Sequence, residues 1–426
     1  MTAFINVNVI SMTDEQVDSG QTVLIDEGQI IVIGPVDTTP LPKDIRIVDG
    51  TDRYLLPGLA EMHAHVPDAG SAELGRVMSL FAANGVTTIR GMLGRSSHLR
   101  LRDALLRNEE FGPRLITSGP SMNGNSVSSA DDGARQVRSQ FEAGYDFVKI
   151  HPGLDAKEYA AIAATANELG MPFAGHVPVA VGVKNALAAG MATIDHLDGY
   201  LAALMPADSD ASGGYGGFFD VLLADQLAEE RIFELATQTA AAGTWNVPTE
   251  SLFEHRVSDV TVAELSSLPE MRYMPRATVQ QWVQAKQRQE SERGFDPEVA
   301  RQAIEIRRML IKALHDAGAG LLLGSDAPQV FNVPGFSIHH ELQFLVESGL
   351  TPFAAIATGT TAVAEFLGTN TGTIEVGREA DLVLLDSNPL LDISNTRRVH
   401  GVMIRGVWYA SSDLKNRLKP YRMQNN

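Results

Sequence analysis

The sequence predicts an α/β fold: a (β/α)8 TIM barrel with a small composite β-sandwich domain formed by the N- and C-terminal segments. In the middle of the chain, short apolar strand-like runs alternate with helix-like ones, as in a barrel. Both ends instead alternate polar and apolar residues, with Gly, Pro and Asp at the turns. Because isolated hairpins are only marginally stable, we expect the two ends to share one domain.

The length of 426 residues allows one large domain with a smaller one beside it. We expect residues 1–56 to form the N-terminal part of the β-sandwich domain, residues 57–367 the barrel, and residues 368–426 the C-terminal part. Hydrophobic residues make up 44% of the chain and charged residues 20%, values that are typical of a globular protein and exclude disorder.

The charge balance excludes several classes of partner. There are 52 acidic and 34 basic residues, and the net charge of −18 opposes binding to nucleic acid or to an anionic membrane. The chain shows neither a signal-peptide pattern nor an apolar run of about 18 residues, so we expect a cytoplasmic location. We expect a small-molecule substrate, no nucleic-acid or membrane partner, and a homo-oligomer.

Polar side chains close the predicted barrel strands. His63 and His65 end the first strand, LAEMHAHV, and residues two apart on a strand share one face, roughly 7 Å apart. The other candidates, each at the end of a later strand, are Lys149, His176, His196 and Asp326. Because the strand ends of a barrel converge on one mouth, these side chains become neighbours there.

Each of these residues also has an ordinary structural explanation. A strand-end histidine is often only hydrogen-bonded, Asp326 can cap the following helix, and Lys149 can extend to the surface. Six residues, all at predicted strand ends, would, however, need six such explanations. The chain has no cysteine, so any metal must be held by nitrogen and oxygen. Imidazole and carboxylate ligands suit zinc, with manganese, iron and cobalt left open.

Lys149 is informative because an ammonium is a poor neighbour for a divalent cation and costs free energy when it is buried unpaired. Addition of CO2 to its amine would give a carbamate, an anionic ligand whose two oxygens can bridge two metals. Lys149 then fits the same site as the histidines.

The motifs PGLAEMHAH, VKIH, AGHVP, IDHLDGY and GSDAP, in that order, resemble the metal-dependent amidohydrolase superfamily. The similarity is to its imidazolonepropionase-like and Xaa-Pro dipeptidase-like branch. The terminal blocks IDEGQIIVIGP and GTIEVGREADLVLLDSNPL resemble the composite β-sandwich that flanks the barrel in that superfamily. The resemblance covers nearly the whole chain.

The resemblance implies a role for each candidate. His63, His65 and Asp326 would bind the more buried of two divalent metal ions, His176 and His196 would bind the second, and carboxylated Lys149 would bridge them. Zinc is the expected metal. A hydroxide shared by the metals would be the nucleophile, and Asp326 would be the catalytic residue that accepts its proton and delivers it to the leaving group.

Two positions depart from the family pattern without changing this ligand set. The family usually has Asp two residues before the first histidine, where this chain has Glu61. Its second strand often ends in Asp, where this chain has Gly91. The chain also lacks a Gly/Ser-rich insertion between Lys149 and His176 that is common in Xaa-Pro dipeptidase-like and ochratoxin-hydrolysing members.

The implied reaction is hydrolysis of an amide bond in an N-acyl amino acid, a dipeptide or an aromatic amide of the ochratoxin type. Expected substrate contacts are His151, Tyr200, His255, His339 and Asn123. A lactone, carbamate or phosphotriester would exploit the same metal pair. A mononuclear deaminase of the same fold is a further alternative, although it would have no need of Lys149. A non-catalytic scaffold would be expected to have lost ligands, and all six are present.

Overall fold

The protein is described by a computed structural model over residues 1–206 and 216–423. The strands, in chain order, are β1 (Thr2–Val9), β2 (Asp18–Asp26), β3 (Gln29–Pro35), β4 (Arg46–Asp49), β5 (Tyr54–Pro57), β6 (Leu59–Ala64), β7 (Val86–Gly91), β8 (Arg114–Thr117), β9 (Val148–Ile150), β10 (Phe173–Gly175), β11 (Thr193–Asp195), β12 (Trp245–Val247), β13 (Leu382–Leu385), β14 (Val399–Ile404) and β15 (Val407–Ala410).

The α-helices are α1 (Ala72–Ala83), α2 (Ser96–Leu106), α3 (Ala130–Ala143), α4 (Ala156–Leu169), α5 (Gly182–Ala188), α6 (Tyr200–Ala203), α7 (Ile232–Ala242), α8 (Glu250–Val257), α9 (Val262–Ser266), α10 (Arg276–Glu290), α11 (Pro297–Asp316), α12 (Phe336–Glu347), α13 (Pro352–Thr358), α14 (Thr361–Leu367) and α15 (Ser411–Leu418). Helices therefore separate the strands from β6 to β12, as the sequence predicts. Among the described residues, no helix is both long and apolar enough to span a bilayer.

The barrel consists of parallel strands from β6 to β12 and a final extended segment. Strands β6, β7 and β8 pair in parallel, as do β9 to β12, and a bridge between Ser118 and Phe147 joins the two groups. All of the residues in β6, β7, β9, β10 and β11 are buried, because helices cover the outside of the barrel. These observations confirm the predicted TIM barrel.

The eighth predicted strand, AGLLLGSDAP, is less regular than the sequence suggests. Its backbone bonds on one side to Asn246 of β12 and on the other to Met62 of β6, with N···O distances of 2.8 Å, so it closes the barrel. It is not a continuous ladder, because Asp326 has φ +62, outside the range of an extended strand. The segment therefore turns at the residue that the sequence places at the mouth.

The two ends of the chain form one mixed sheet, in the order β15-β14-β13-β5-β1-β2-β3, with β4 paired to β1. The ends meet where β5 and β13 pair antiparallel, with Leu55 opposite Leu384. All eight strands contribute to one apolar core, which includes Phe4, Val23, Ile30, Val48, Leu55, Leu384, Met403 and Trp408. The composite β-domain of the prediction is therefore confirmed.

Candidate metal centre

The structure brings the six predicted ligands to one end of the barrel. The ring centroids of His63 and His196 are 4.4 Å apart, and those of His176 and His196 are 4.6 Å apart. Potential ligand atoms of His63, His196 and Asp326 all lie within 4.8 Å of one another. His65 and Lys149 join this group through the contacts described below. We call this group the metal end; it comprises the six predicted ligands His63, His65, Lys149, His176, His196 and Asp326.

His63 lies in β6 and His65 directly follows that strand, and their rings are nearly parallel, at 20°. Asp326 Oδ1 lies 2.8 Å from His65 Nε2 and 3.5 Å from His63 Nε2. On the other side of the His63 ring, Nδ1 lies 2.9 Å from Asp195 Oδ2. Both Nε2 atoms and the Asp326 carboxylate therefore face the same space.

His176 and His196 are each held through Nδ1. His176 Nδ1 is hydrogen-bonded to the Asp198 carboxylate at 2.9 Å, and His196 Nδ1 to the Thr249 hydroxyl at 2.8 Å. Such a bond at one ring nitrogen fixes the ring orientation and leaves the other nitrogen for a metal.

The backbone at the metal end adopts conformations that are rare for residues other than glycine. His196 and Leu197 have φ values of +65 and +52, Thr249 has +49, and Asp326 has +62. Such residues cost about 1–3 kcal/mol each and persist where surrounding contacts hold them. At His196 the carbonyl accepts a 2.7 Å hydrogen bond from Arg307, a fully buried residue.

Lys149 on β9 is fully buried, and among the described residues its Nζ has no hydrogen-bond partner. The carboxylate oxygen Asp195 Oδ2 lies 3.8 Å from Lys149 Nζ. The space beside the amine exists because residue 175 is glycine; a Cβ there would lie 2.9 Å from Nζ. Burial lowers the pKa of Lys149 to about 8, against the opposing effect of Asp195 and Asp326. A lower pKa increases the neutral amine, the form that adds CO2.

The electrostatics favour neutral imidazoles. Burial lowers the pKa of His176 to about 3 and shifts the pKa values of His63 and His196 well below the usual range; Lys149 adds to the effect at all three, while Asp195 opposes it at His176 and His196. A metal requires a neutral imidazole. Together with the unpartnered Lys149 amine, this set of buried nitrogen and oxygen donors fits one or more divalent cations such as zinc.

The sequence reasoning missed a buried network beneath the metal end. Asp195 Oδ1 accepts hydrogen bonds from Thr193 Oγ1 at 2.7 Å and from Arg90 Nη2 at 3.2 Å, and all three residues are buried. Arg90 also donates to the carbonyl of Met62 at 2.7 Å. The available signal was an aspartate directly before His196 at a strand end, and a second, Asp198, two residues after it.

Two of the expected substrate contacts lie beside the metal end. The ring of His151 is 5.1 Å from that of His176 and is only partly buried. Asn123 lies in a loop that runs along the end of β9, because the neighbouring Met122 exchanges backbone hydrogen bonds with residues of that strand end. Its side-chain oxygen accepts from the backbone of Asn125 and Ser126, which fixes the loop. Substrate contact by His151 and Asn123 stays a prediction.

The other three expected contacts are buried side chains with hydrogen-bond partners of their own. Tyr200 is fully buried, with its hydroxyl 3.0 Å from Thr239 Oγ1 on α7. His255 and His339 are also buried, and their Nδ1 atoms bond to Asn332 and Thr396. Substrate contact by these three residues stays a prediction.

Phe219 is an unpredicted neighbour of the metal end. Its ring is stacked on that of His196, with centroids 4.8 Å apart and planes at 16°, and it is nearly parallel to that of His176. Its φ of +47 is unusual for an aromatic residue. No motif marks it in the sequence.

Comparison with known proteins supports the resemblance to amidohydrolases over nearly the whole chain. The pattern of the amidohydrolase family matches residues 54–409. A bottromycin amidohydrolase superimposes with a TM-score of 0.74 at 22% identity, covering 99% of this chain and 90% of that one. A Xaa-Pro dipeptidase with bound methionine gives 0.67 at 21%, covering 96% and 99%. The ochratoxinase of A. niger gives 0.67 at 18%, covering 96% and 95%.

One curated protein, an adenine deaminase of Ruegeria pomeroyi, is 26% identical over 172 residues. That match spans 37% of this chain and only 28% of the deaminase. The family match covers far more of the chain and confirms the resemblance in the motifs. The chain belongs to the amidohydrolase family and is a hydrolase that acts on carbon–nitrogen bonds.

Proposed function

We propose that the protein is a binuclear metal-dependent hydrolase that cleaves an amide bond in a small molecule. The observation that carries this proposal is the buried Lys149 amine, which lies without a hydrogen-bond partner in the described part of the chain. A buried ammonium that has no hydrogen-bond partner and lies 3.8 Å from Asp195 Oδ2, beside neutral histidines, is poorly compensated, whereas a carbamate between two cations is well compensated. The arrangement therefore favours two metals over one.

His63, His65 and Asp326 would hold one ion, His176 and His196 would hold the other, and carboxylated Lys149 would bridge them. We propose zinc, which accepts imidazole and carboxylate ligands. When bound, such a pair lowers the pKa of water from 15.7 towards roughly 7 and polarises the carbonyl of the scissile bond.

The chain itself supplies proton transfer and substrate contacts. We assign Asp326 as the residue that accepts the proton of the attacking water and returns it to the leaving nitrogen. Its Oδ1 atom faces His63 and His65, at the centre of the proposed ligands. His151 and Asn123, beside the metal end, would orient the substrate.

The similar structures that suggest a substrate class include a Xaa-Pro dipeptidase, an ochratoxinase and a bottromycin amidohydrolase. We propose an N-acyl amino acid, a dipeptide or an aromatic amide. The test is release of free amine from a panel of these compounds by protein loaded with zinc and bicarbonate. Activity that the Asp326→Asn variant lacks supports the proposal, and a panel without any turnover contradicts it.

A mononuclear deaminase is the second candidate, because part of the chain matches an adenine deaminase. Such an enzyme attacks a ring carbon and releases ammonia. Ammonia release from aminopurines, with no amine release from the amides, would replace the first proposal with this one. A lactone, a carbamate and a phosphotriester belong in the same panel, since a metal pair would serve them equally well.

A further inference from the structure

Glu61 is a fully buried carboxylate that joins two distant parts of the metal end. Its Oε1 accepts hydrogen bonds from the backbone N–H of His63 at 2.9 Å and of Ser325 at 2.8 Å. Its Oε2 accepts a third bond, from the Ser325 hydroxyl. One side chain therefore connects the strand that carries two histidines with the segment that carries Asp326.

Ser325 is held on its other side as well. Its carbonyl accepts a hydrogen bond from the side-chain amide of Asn332, whose oxygen is bonded to His255 Nδ1 at 2.9 Å. The Ser325 hydroxyl also lies 2.7 Å from Ser337 Oγ. Ser325, the residue before Asp326, is thus bonded through its N–H, its carbonyl and its side chain, all within buried surroundings.

These bonds account for the backbone of Asp326. A non-glycine residue at φ +62 is retained only where its neighbours determine its conformation. Gly324 makes the close approach possible, because a Cβ at that position would lie 2.9 Å from His63 N and 3.2 Å from Glu61 Oε1. Gly324, Ser325 and the side chain of Glu61 therefore together hold the backbone of Asp326 in this conformation.

We propose that Glu61 is a positioning residue that, through Ser325, sets the place of the Asp326 carboxylate relative to His63 and His65. Its length matters for the backbone of this chain, because Glu61 Oε1 reaches both backbone N–H groups, and an aspartate, shorter by one methylene, about 1.5 Å, would have to reach them from the same Cα. The effect on turnover rests on the proposed hydrolase function, whereas the effect on metal affinity does not.

The experiment compares Glu61→Asp, Glu61→Gln and Ser325→Ala in the full chain. Glutamine keeps the length and one oxygen for both backbone groups, so Glu61→Gln should retain zinc affinity. Glu61→Asp should bind zinc about 10–100-fold more weakly in competition with a chelator, with kcat lowered by a similar factor and KM little changed. Ser325→Ala loses the hydroxyl's bonds to Glu61 and Ser337 but keeps the backbone bonds, and it should weaken zinc binding by about 10-fold.

Asp381→Asn is the matched control. Asp381 is also a buried carboxylate that accepts a backbone N–H, from Arg405 at 2.6 Å, but it lies beside β13 in the composite sheet. This variant should lower the melting temperature and leave zinc affinity unchanged. If Glu61→Asp behaves in the same way, or if Glu61→Gln loses as much affinity as Glu61→Asp, the positioning role is overturned.

Two other outcomes are also decisive. If Glu61→Asp does not fold, Ser325→Ala decides: weakened zinc binding supports the inference, and unaltered binding overturns it. If the unaltered protein binds zinc but hydrolyses no amide, the proposed function fails, while the zinc affinities still decide the role of Glu61.

Discussion

The metal end and the composite sheet are both buried, yet their interiors have opposite chemistry. The sheet encloses aliphatic and aromatic side chains such as Phe4, Leu384 and Trp408. The metal end and the network beneath it enclose a lysine, an arginine and several carboxylates and imidazoles, including Lys149 and Arg90. Apolar burial stabilises the sheet, whereas buried charges cost free energy unless they are paired or bind a metal.

This difference indicates where stability and function reside. In the sheet, a change of side chain alters packing and hence the free energy of unfolding. At the metal end, a substitution alters the number or the orientation of the metal ligands. The original residue adds little to the free energy of unfolding of the metal-free protein. Substitutions in the two regions should therefore give opposite patterns in melting temperature and turnover.

The largest expected effect comes from Lys149→Ala, because it removes the proposed bridge. We expect hydrolysis to be abolished and the metal content to fall from about two ions per chain to one or none. The melting temperature of the metal-free protein should fall less than it does for a core substitution, because the variant no longer buries an amine without a hydrogen-bond partner. Elemental analysis, kinetics and calorimetry measure the three effects.

Lys149→Met and Lys184→Ala serve as controls for this prediction. The methionine variant keeps the volume but not the amine, so it should match Lys149→Ala in metal content. Lys184 is exposed, and its removal should change nothing. A Lys149→Ala protein that is active with two metals would disprove the bridging role.

The next largest effect is expected from Asp326→Asn. The amide keeps the shape of the carboxylate but neither accepts nor delivers a proton, so kcat should fall by about 10²–10⁴-fold. The fold should be largely retained. Steady-state kinetics with the exposed Asp316→Asn as control measures the loss, and a near-normal kcat would rule out the proton-transfer role.

A smaller effect is expected from Asp198→Ala. It removes the acceptor at His176 Nδ1, so the ring can turn and the affinity for metal should fall by about 10–100-fold. Metal titration of the apoprotein measures it, with the exposed Asp225→Ala as the comparison. Unaltered affinity would mean that His176 is oriented by other contacts.

Leu384→Ala should have the smallest effect on turnover and a large one on stability. Leu384 is fully buried in the sheet core, so its truncation should lower the free energy of unfolding by about 2–5 kcal/mol. At temperatures where the variant is folded, kcat and metal content should match those of the unaltered protein. A loss of metal in the folded variant would show that the two regions are coupled.

The sequence predicts both regions from local patterns. Alternating residues identify the sheet strands because a period of two is visible within a few residues. The six proposed ligands are found because each follows a run of strand residues, and strand ends converge in a barrel. Their grouping at one end of the structure is as expected.

The contacts that hold these ligands are less predictable. Adjacent residues of a regular strand point to opposite faces, so Asp195 and His196 would not be expected to serve the same site. The left-handed backbone at His196 breaks that alternation. Tyr200 follows the same motif, but there the chain starts helix α6 and turns the phenol toward Thr239. Such changes of direction depend on tertiary contacts and leave no local pattern.

The most direct test of the account is the number of metal ions per chain, measured by elemental analysis of protein purified without chelator. The account predicts about two ions, since Lys149 is explained by a bridge between two cations. About one ion, persisting after incubation with excess metal and bicarbonate, would contradict the binuclear centre and favour the mononuclear alternative.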